Sequence, residues 1–182
     1  MASSSDPTAT PAVRSGRVAT VVMGVSGAGK TTVGKRLAER LGVEFIDGDD
    51  LHSATARAKM AAGRALDDAD RWPWLDRIAA ALADPAAPRG RVVACSALRR
   101  AYRDRLRAGV GTGLRFVYLE ADPDLMRTRV AGRRGHYMPA SLVDSQFATL
   151  EPPVGEADVI TIAADADLDV AIPQLVAELT RN

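Results

Sequence analysis

The chain has 182 residues, 47% of them hydrophobic and 26% charged, with 24 basic side chains against 23 acidic and a net charge of +1. These values predict one soluble, cytoplasmic globular domain, and the near-neutral balance gives no electrostatic footprint for nucleic acid or an anionic membrane. No apolar run reaches the roughly 18 residues of a membrane span, the lone Cys95 excludes an internal disulfide or a multi-cysteine metal site, and 4% aromatic content offers no stacking platform for single strands.

Residues 1–16, MASSSDPTATPAVRSG, are small and polar and lack the apolar stretch of a secretory signal, so they are expected to form a disordered tail. The remainder, 17–182, reads as a single domain. It opens at Arg17 with VATVVMG, a nearly continuous apolar run that suits a strand buried on both faces. Similar short runs recur at Val43–Ile46, Arg91–Cys95, Leu114–Leu119 and Asp158–Ile162. Helical stretches separate them: Gly29–Leu41, Ser53–Ala62, Asp68–Ala83, Leu98–Arg107, Asp122–Ala131, Pro139–Leu150 and Leu168–Leu179. Five strands alternating with helices predict an α/β fold with a parallel sheet. Asp84–Gly90, DPAAPRG, reads as a surface turn. Arginine outnumbers lysine 21 to 3, a bias attributed to base composition, which singles out Lys30, Lys35 and Lys59 for inspection.

The segment Gly24-Val25-Ser26-Gly27-Ala28-Gly29-Lys30-Thr31, followed by Thr32, fits G-x-x-x-x-G-K-S/T in full. A buried strand runs into it and an amphipathic helix leaves it, the context that gives the motif meaning. Glycines let the backbone curl until successive N–H groups converge on a phosphate at the positive end of a helix dipole. Lys30 is expected to bridge the β- and γ-phosphates, and Thr31 to place its hydroxyl on Mg²⁺. The predicted ligand is a nucleoside triphosphate, ATP, with Mg²⁺.

The second strand ends in Phe45-Ile46-Asp47-Gly48-Asp49-Asp50-Leu51-His52. Strand carboxyl ends in such sheets face the ligand crevice. Asp47 is expected in the Mg²⁺ shell, through water, and Asp49 as the group that takes the proton of an acceptor hydroxyl. The competing reading, that these acids only form a turn, suits Asp50 or Ser53 as a cap for the next helix.

Three further stretches follow: Lys59-Met60-Ala-Ala-Gly63-Arg64-Ala-Leu66-Asp67-Asp68-Ala-Asp70-Arg71-Trp72-Pro73-Trp74-Leu75, then Cys95-Ser96-Ala97-Leu98-Arg99-Arg100-Ala-Tyr102-Arg103-Asp104, then Gly132-Arg133-Arg134-Gly135-His136-Tyr137-Met138. Ser145-Gln146-Phe147-Ala-Thr-Leu150-Glu151-Pro152 completes the set. With D-G-D-x-x-H at Asp47–His52, this combination resembles the bacterial-type gluconokinases, which belong with shikimate and adenylate kinases among P-loop small-molecule kinases. The resemblance spans about residues 17–180.

The resemblance implies ATP-dependent phosphorylation of D-gluconate at its terminal hydroxyl, giving 6-phospho-D-gluconate and ADP within gluconate catabolism that feeds the pentose phosphate pathway. It implies the strand order 2-3-1-4-5, a small mobile lid at about 129–140, and a possible homodimer. Arg133 matches the lid arginine that closes over the transferred phosphoryl group, with Arg129 second. Arg127 and Arg134 suit a solvated helix end. Gluconate carries a carboxylate and a row of hydroxyls, so its site needs a planar cation and several polar groups. Arg71 is the first choice for the carboxylate, on the likeness to shikimate kinases, with Arg99 and Arg103 as alternatives. Ser96 and His52 are expected to bond hydroxyls, although His52 also suits a plain helix-start hydrogen bond. Trp74 reads as core packing and Trp72 stays open. Cys95 reads as a small buried hydrophobe. Two other readings share the phosphate loop: a kinase acting on shikimate or a nucleoside monophosphate, and a nucleotide-dependent switch with no acceptor.

Overall fold

The computed structural model describes residues 16–131 and 140–181. Five parallel strands form one sheet: β1 (Val18–Met23), β2 (Glu44–Asp47), β3 (Gly90–Ala94), β4 (Leu114–Glu120) and β5 (Val159–Ala163). Their order is β2-β3-β1-β4-β5, the order the resemblance implied. Among the described residues the helices are α1 (Lys30–Leu41), α2 (Ala54–Ala61), α3 (Asp68–Ala83), α4 (Arg100–Val110), α5 (Pro123–Ala131), α6 (Ala140–Thr149) and α7 (Leu168–Leu179), with a 3-10 turn at Gly48–Leu51. None of them is long and apolar enough to cross a membrane.

Alternation along the central strands divides the core into two layers. Val22 of β1 and Val117 and Leu119 of β4 face one side, packing with Leu37, Leu41, Ile172 and Leu175 of α1 and α7. Val21, Met23, Phe116 and Tyr118 face the other, packing with Trp74, Leu75, Ile78 and Leu82 of α3 and with Tyr102 and Leu106 of α4. This is why the strand sequences are apolar without a polar face. Cys95 is fully buried in the second layer, and burial pushes its thiol pKa up to about 12, so it behaves as a hydrophobe rather than a nucleophile.

The chain leaves β1 for the β2 edge and leaves β4 for the β5 edge, so the crevice opens at the carboxyl ends of the central strands. Register brings those ends level: Val22 of β1 lies beside Ala94 of β3 and Val117 of β4, and Asp47 of β2 also pairs with Ala94. The phosphate loop, the Asp47–His52 turn and Ser96 therefore emerge at one rim.

Element limits match expectation to within three residues, and those of α3 and α7 coincide with it. The largest difference is α4, expected over Leu98–Arg107 and found over Arg100–Val110. Ala97 takes a positive φ of 43° and Arg99 is extended, which holds the chain out of the helix until Arg100.

Candidate active site

The loop after β1 has the curled backbone that its glycines allow. Gly24 sits at φ 143°, and a β-carbon there would stand 2.9 Å from the Leu119 carbonyl oxygen, so neither the conformation nor the space admits a side chain. The Gly24 N–H donates to the Ser96 carbonyl (3.3 Å), tying the loop to the end of β3. Val25 and Ala28 are buried and seat the loop, while Ser26, Gly27, Gly29 and Lys30 are half-buried along its rim. The Lys30 ammonium donates to the Val25 carbonyl (3.0 Å) and so folds back over the loop. Helix α1 starts at Lys30 behind Gly29, which offers no side-chain cap, and the first turn carries no acid. Thr31 and Thr32 are exposed in that turn. The N–H groups and positive dipole of α1 are thus left for an anion.

Thr31 and Asp47 are brought together, the threonine hydroxyl donating to the Asp47 carboxylate (3.0 Å). Among the described residues no three His, Cys, Asp or Glu side chains cluster as a metal cage. A hydroxyl and one carboxylate suit Mg²⁺, which keeps several waters and takes its other ligands from substrate phosphates. The other Asp47 oxygen accepts the Asp49 N–H (3.2 Å), so Asp47 also caps the 3-10 turn. The capping and metal-shell readings of Asp47 are compatible. Ser53 caps α2 by accepting the Ala56 N–H (3.1 Å).

Asp49 projects into the crevice with its side chain 83% exposed. Desolvation, followed by the neighbouring Asp47 charge, raises its pKa above the ordinary value while Lys30 opposes the shift. His52 Nε2 lies 3.9 Å from an Asp49 oxygen. The imidazole is buried and stacked on Trp74, with ring centroids 4.3 Å apart and planes 12° from parallel. Burial, then the charges of Arg71, Arg77 and Arg57, lower its pKa to about 4, so it is neutral at physiological pH. Its Nδ1 is buried and has no partner among the described residues. Ser96 is half-buried where β3 ends.

The three arginines considered for a substrate carboxylate separate clearly. Arg71 on α3 lies over the Tyr102 ring (5.6 Å), with its Nε donating to the Leu66 carbonyl (3.3 Å). No described residue takes its two terminal nitrogens. Arg99 flanks the same ring (5.8 Å) but spends one terminal nitrogen on the Asp68 carboxylate, which also accepts from the Tyr102 hydroxyl (2.6 Å). For Arg103 the structure corrects the expectation of a substrate contact. Its guanidinium is buried, paired with Glu156 (2.5 and 2.9 Å) and donating to the carbonyls of Ala97 (3.1 Å) and Leu98 (3.2 Å). Its place is structural, because it lacks exposed surface and almost every donor is taken. Trp72 packs edge-on against Tyr102 (5.5 Å). Lys59 is not a spare cation either: both oxygens of Asp70 hold it at 2.7 Å.

On the far side of the loop, Arg129 donates to the Ala164 carbonyl (3.0 Å) just beyond β5. Arg127 is engaged by Asp124 and Asp144 on the exposed surface. Arg133 and Arg134 lie outside the described residues. Gln146 on α6, to which sequence reasoning gives no role, joins the site: its side-chain oxygen accepts the Ser26 N–H of the phosphate loop (2.6 Å). Its place in the S-Q-F stretch is the one signal the sequence holds. Trp74 packs as expected and does more, for its indole N–H donates to the Gly48 carbonyl (2.6 Å) inside the Asp47–His52 turn.

A family model described as AAA domain matches residues 20–153. The gluconokinase of Gluconobacter oxydans (strain 621H) is 45% identical over 157 residues, covering 86% of this chain and 88% of its own. The thermoresistant gluconokinase of Escherichia coli (strain K12) is 41% identical over 151 residues, covering 82% of this chain and 86% of its own. The crystal structure of a gluconokinase from Sinorhizobium meliloti 1021 superposes with a TM-score of 0.80 at 43% identity, covering 90% of this chain and 92% of that one. Sequence, fold and loop geometry agree: the chain belongs to the gluconokinase family of P-loop kinases.

Proposed function

We propose that this chain transfers the γ-phosphoryl group of Mg·ATP to the terminal hydroxyl of D-gluconate, releasing 6-phospho-D-gluconate and ADP for sugar-acid catabolism. The observation that carries the proposal is the convergence, at one rim of the sheet, of an open phosphate loop, the Thr31–Asp47 pair, and Asp49 beside the buried His52 ring.

Each residue has its own part in the transfer. The loop Gly24–Thr31 and the first turn of α1, Thr32 included, hold the phosphates, and Lys30 supplies a point charge at the β- and γ-oxygens. Thr31 and Asp47 are the residues that would hold Mg²⁺, the hydroxyl as a ligand and the carboxylate through water, and the ion would supply charge neutralisation at the phosphate oxygens. Asp49 accepts the proton of the gluconate terminal hydroxyl as that oxygen forms its bond to the γ-phosphorus and the bond to the ADP oxygen breaks. Asp49 then releases the proton to water. Arg71, backed by Tyr102, takes the gluconate carboxylate, with Arg99 held alongside by Asp68. His52 and Ser96 bond the hydroxyl row. Arg129 supports the nucleotide side next to Ala164, and Arg133 is assigned to the transferred phosphoryl group on its motif.

The test is phosphorus NMR of the product formed from Mg·ATP and D-gluconate. The proposal expects a single phosphomonoester on the terminal carbon; a phosphate at any other carbon would refute the placement of the acceptor beside Asp49.

A further inference from the structure

We propose that Trp74 is the positioning residue of the catalytic base: its indole N–H, acting through the Gly48 carbonyl, sets where Asp49 stands in the crevice. The inference rests on Asp49 being that base.

Gly48 lies between Asp47 and Asp49, and the turn it belongs to is seated on three sides. A β-carbon on Gly48 would meet the Ala94 carbonyl oxygen at 2.3 Å and Ile78 Cδ1 at 3.3 Å, so the turn rests directly on β3 and α3. Its carbonyl accepts the buried Trp74 N–H at 2.6 Å. At its other end the His52 N–H donates to the Asp49 carbonyl (3.3 Å), and the His52 ring stacks on the face of the same indole. One ring thus holds the turn by its edge at Gly48 and by its face at His52, with Asp49 between.

Burial alone would be served by any large apolar ring at this position. The hydrogen bond is what packing does not require, and its loss would take from the Gly48 carbonyl its one side-chain donor among the described residues. Asp47 caps the same turn through the Asp49 N–H but has anchors of its own, its place in β2 opposite Ala94 and its bond from Thr31. Loosening the turn should therefore displace Asp49 while leaving the nucleotide site in place. A displacement of about 1 Å is enough to cost a large factor in rate.

The experiment compares Trp74→Phe, Gly48→Ala, Leu82→Ala and Asp49→Asn with the unaltered chain, by steady-state kinetics and thermal melting. Trp74→Phe keeps an aromatic ring and removes the N–H. Gly48→Ala drives the same turn off the Ala94 carbonyl by contact. Leu82→Ala opens a cavity on the same helix away from the turn. The expected result is that kcat falls about tenfold or more in Trp74→Phe and Gly48→Ala, with KM for ATP within about twofold, while Leu82→Ala loses thermal stability and keeps its kcat. If kcat of Trp74→Phe stays within about twofold of the unaltered chain while Asp49→Asn loses turnover, the positioning role is wrong and the base stands. The positioning role is equally wrong if Leu82→Ala loses as much kcat as Trp74→Phe. Full turnover in Asp49→Asn removes the base and the inference with it. Should Trp74→Phe not fold, Gly48→Ala decides alone, and an unchanged kcat there overturns the proposal.

Discussion

Replacing Glu156 by glutamine tests whether Arg103 is a structural arginine. The two side chains are 1% and 5% exposed, and Arg107 reaches the same carboxylate from the other side. These arginines hold the Glu156 pKa down to about 2 against an ordinary 4.5, chiefly through the Arg103 hydrogen bonds. Glutamine keeps the shape but leaves the Arg103 charge buried without its counter-charge, which costs about 3–5 kcal/mol. For a domain of this size that lowers Tm by about 6–20 °C. The pH dependence follows from the same pair. Because the folded pKa is depressed, the ionised carboxylate stabilises the fold fully above about pH 4.5 and loses that contribution as pH falls toward about 2. Integrating the shift gives about 3 kcal/mol, consistent with the lower end of the substitution cost. Thermal melts of both proteins at about pH 7, 5, 4 and 3 should show a wide Tm gap at neutrality that narrows below about pH 4.5. A gap under about 3 °C at neutral pH, or one that widens on acidification, would refute the reasoning. The consequence reaches the active site, since Arg103 also holds the carbonyls of Ala97 and Leu98, next to the Ser96 carbonyl that anchors the phosphate loop.

Other outcomes follow from the site. Arg71→Lys should raise KM for gluconate about tenfold with KM for ATP unchanged, because a point charge cannot replace a two-pronged fork; an unchanged gluconate KM moves the carboxylate to Arg99. Asp49→Asn should lower kcat about a hundredfold or more and spare ATP affinity; an equal loss of ATP binding would place Asp49 in the metal shell instead. Gln146→Ala leaves the Ser26 N–H without its acceptor, and KM for ATP should rise about threefold or more while KM for gluconate holds; an unchanged ATP KM would make the contact incidental.

The strands and helices are legible in the sequence because each strand is a short apolar run between breaks and helices carry their own stops, such as Gly42 after α1 in the left-handed conformation. The phosphate loop is equally legible, since its chemistry is carried by backbone and by consecutive residues. The strand order comes from the resemblance rather than from periodicity, which does not number neighbours. Arginine partners are not readable. Arg71, Arg99 and Arg103 look alike in sequence, and what separates them is Glu156, 53 residues beyond Arg103, and Tyr102, shared by the other two. Trp74 is half-readable: core packing is the plain expectation for it, while the carbonyl its N–H meets belongs to a turn 26 residues earlier. The same holds for Gln146, whose partner lies 120 residues away. Local chemistry is visible along the chain; contacts between distant turns are not.

The central claim is that the site moves a phosphoryl group from ATP to gluconate and needs that acceptor to turn over. It is tested most directly by coupled ADP release with Mg·ATP and, in turn, D-gluconate, shikimate, AMP or no acceptor, with Lys30→Ala as the blank. The account predicts turnover with D-gluconate alone, abolished in Lys30→Ala. ADP release that is indifferent to the acceptor, or that appears with shikimate or AMP in place of gluconate, would contradict it.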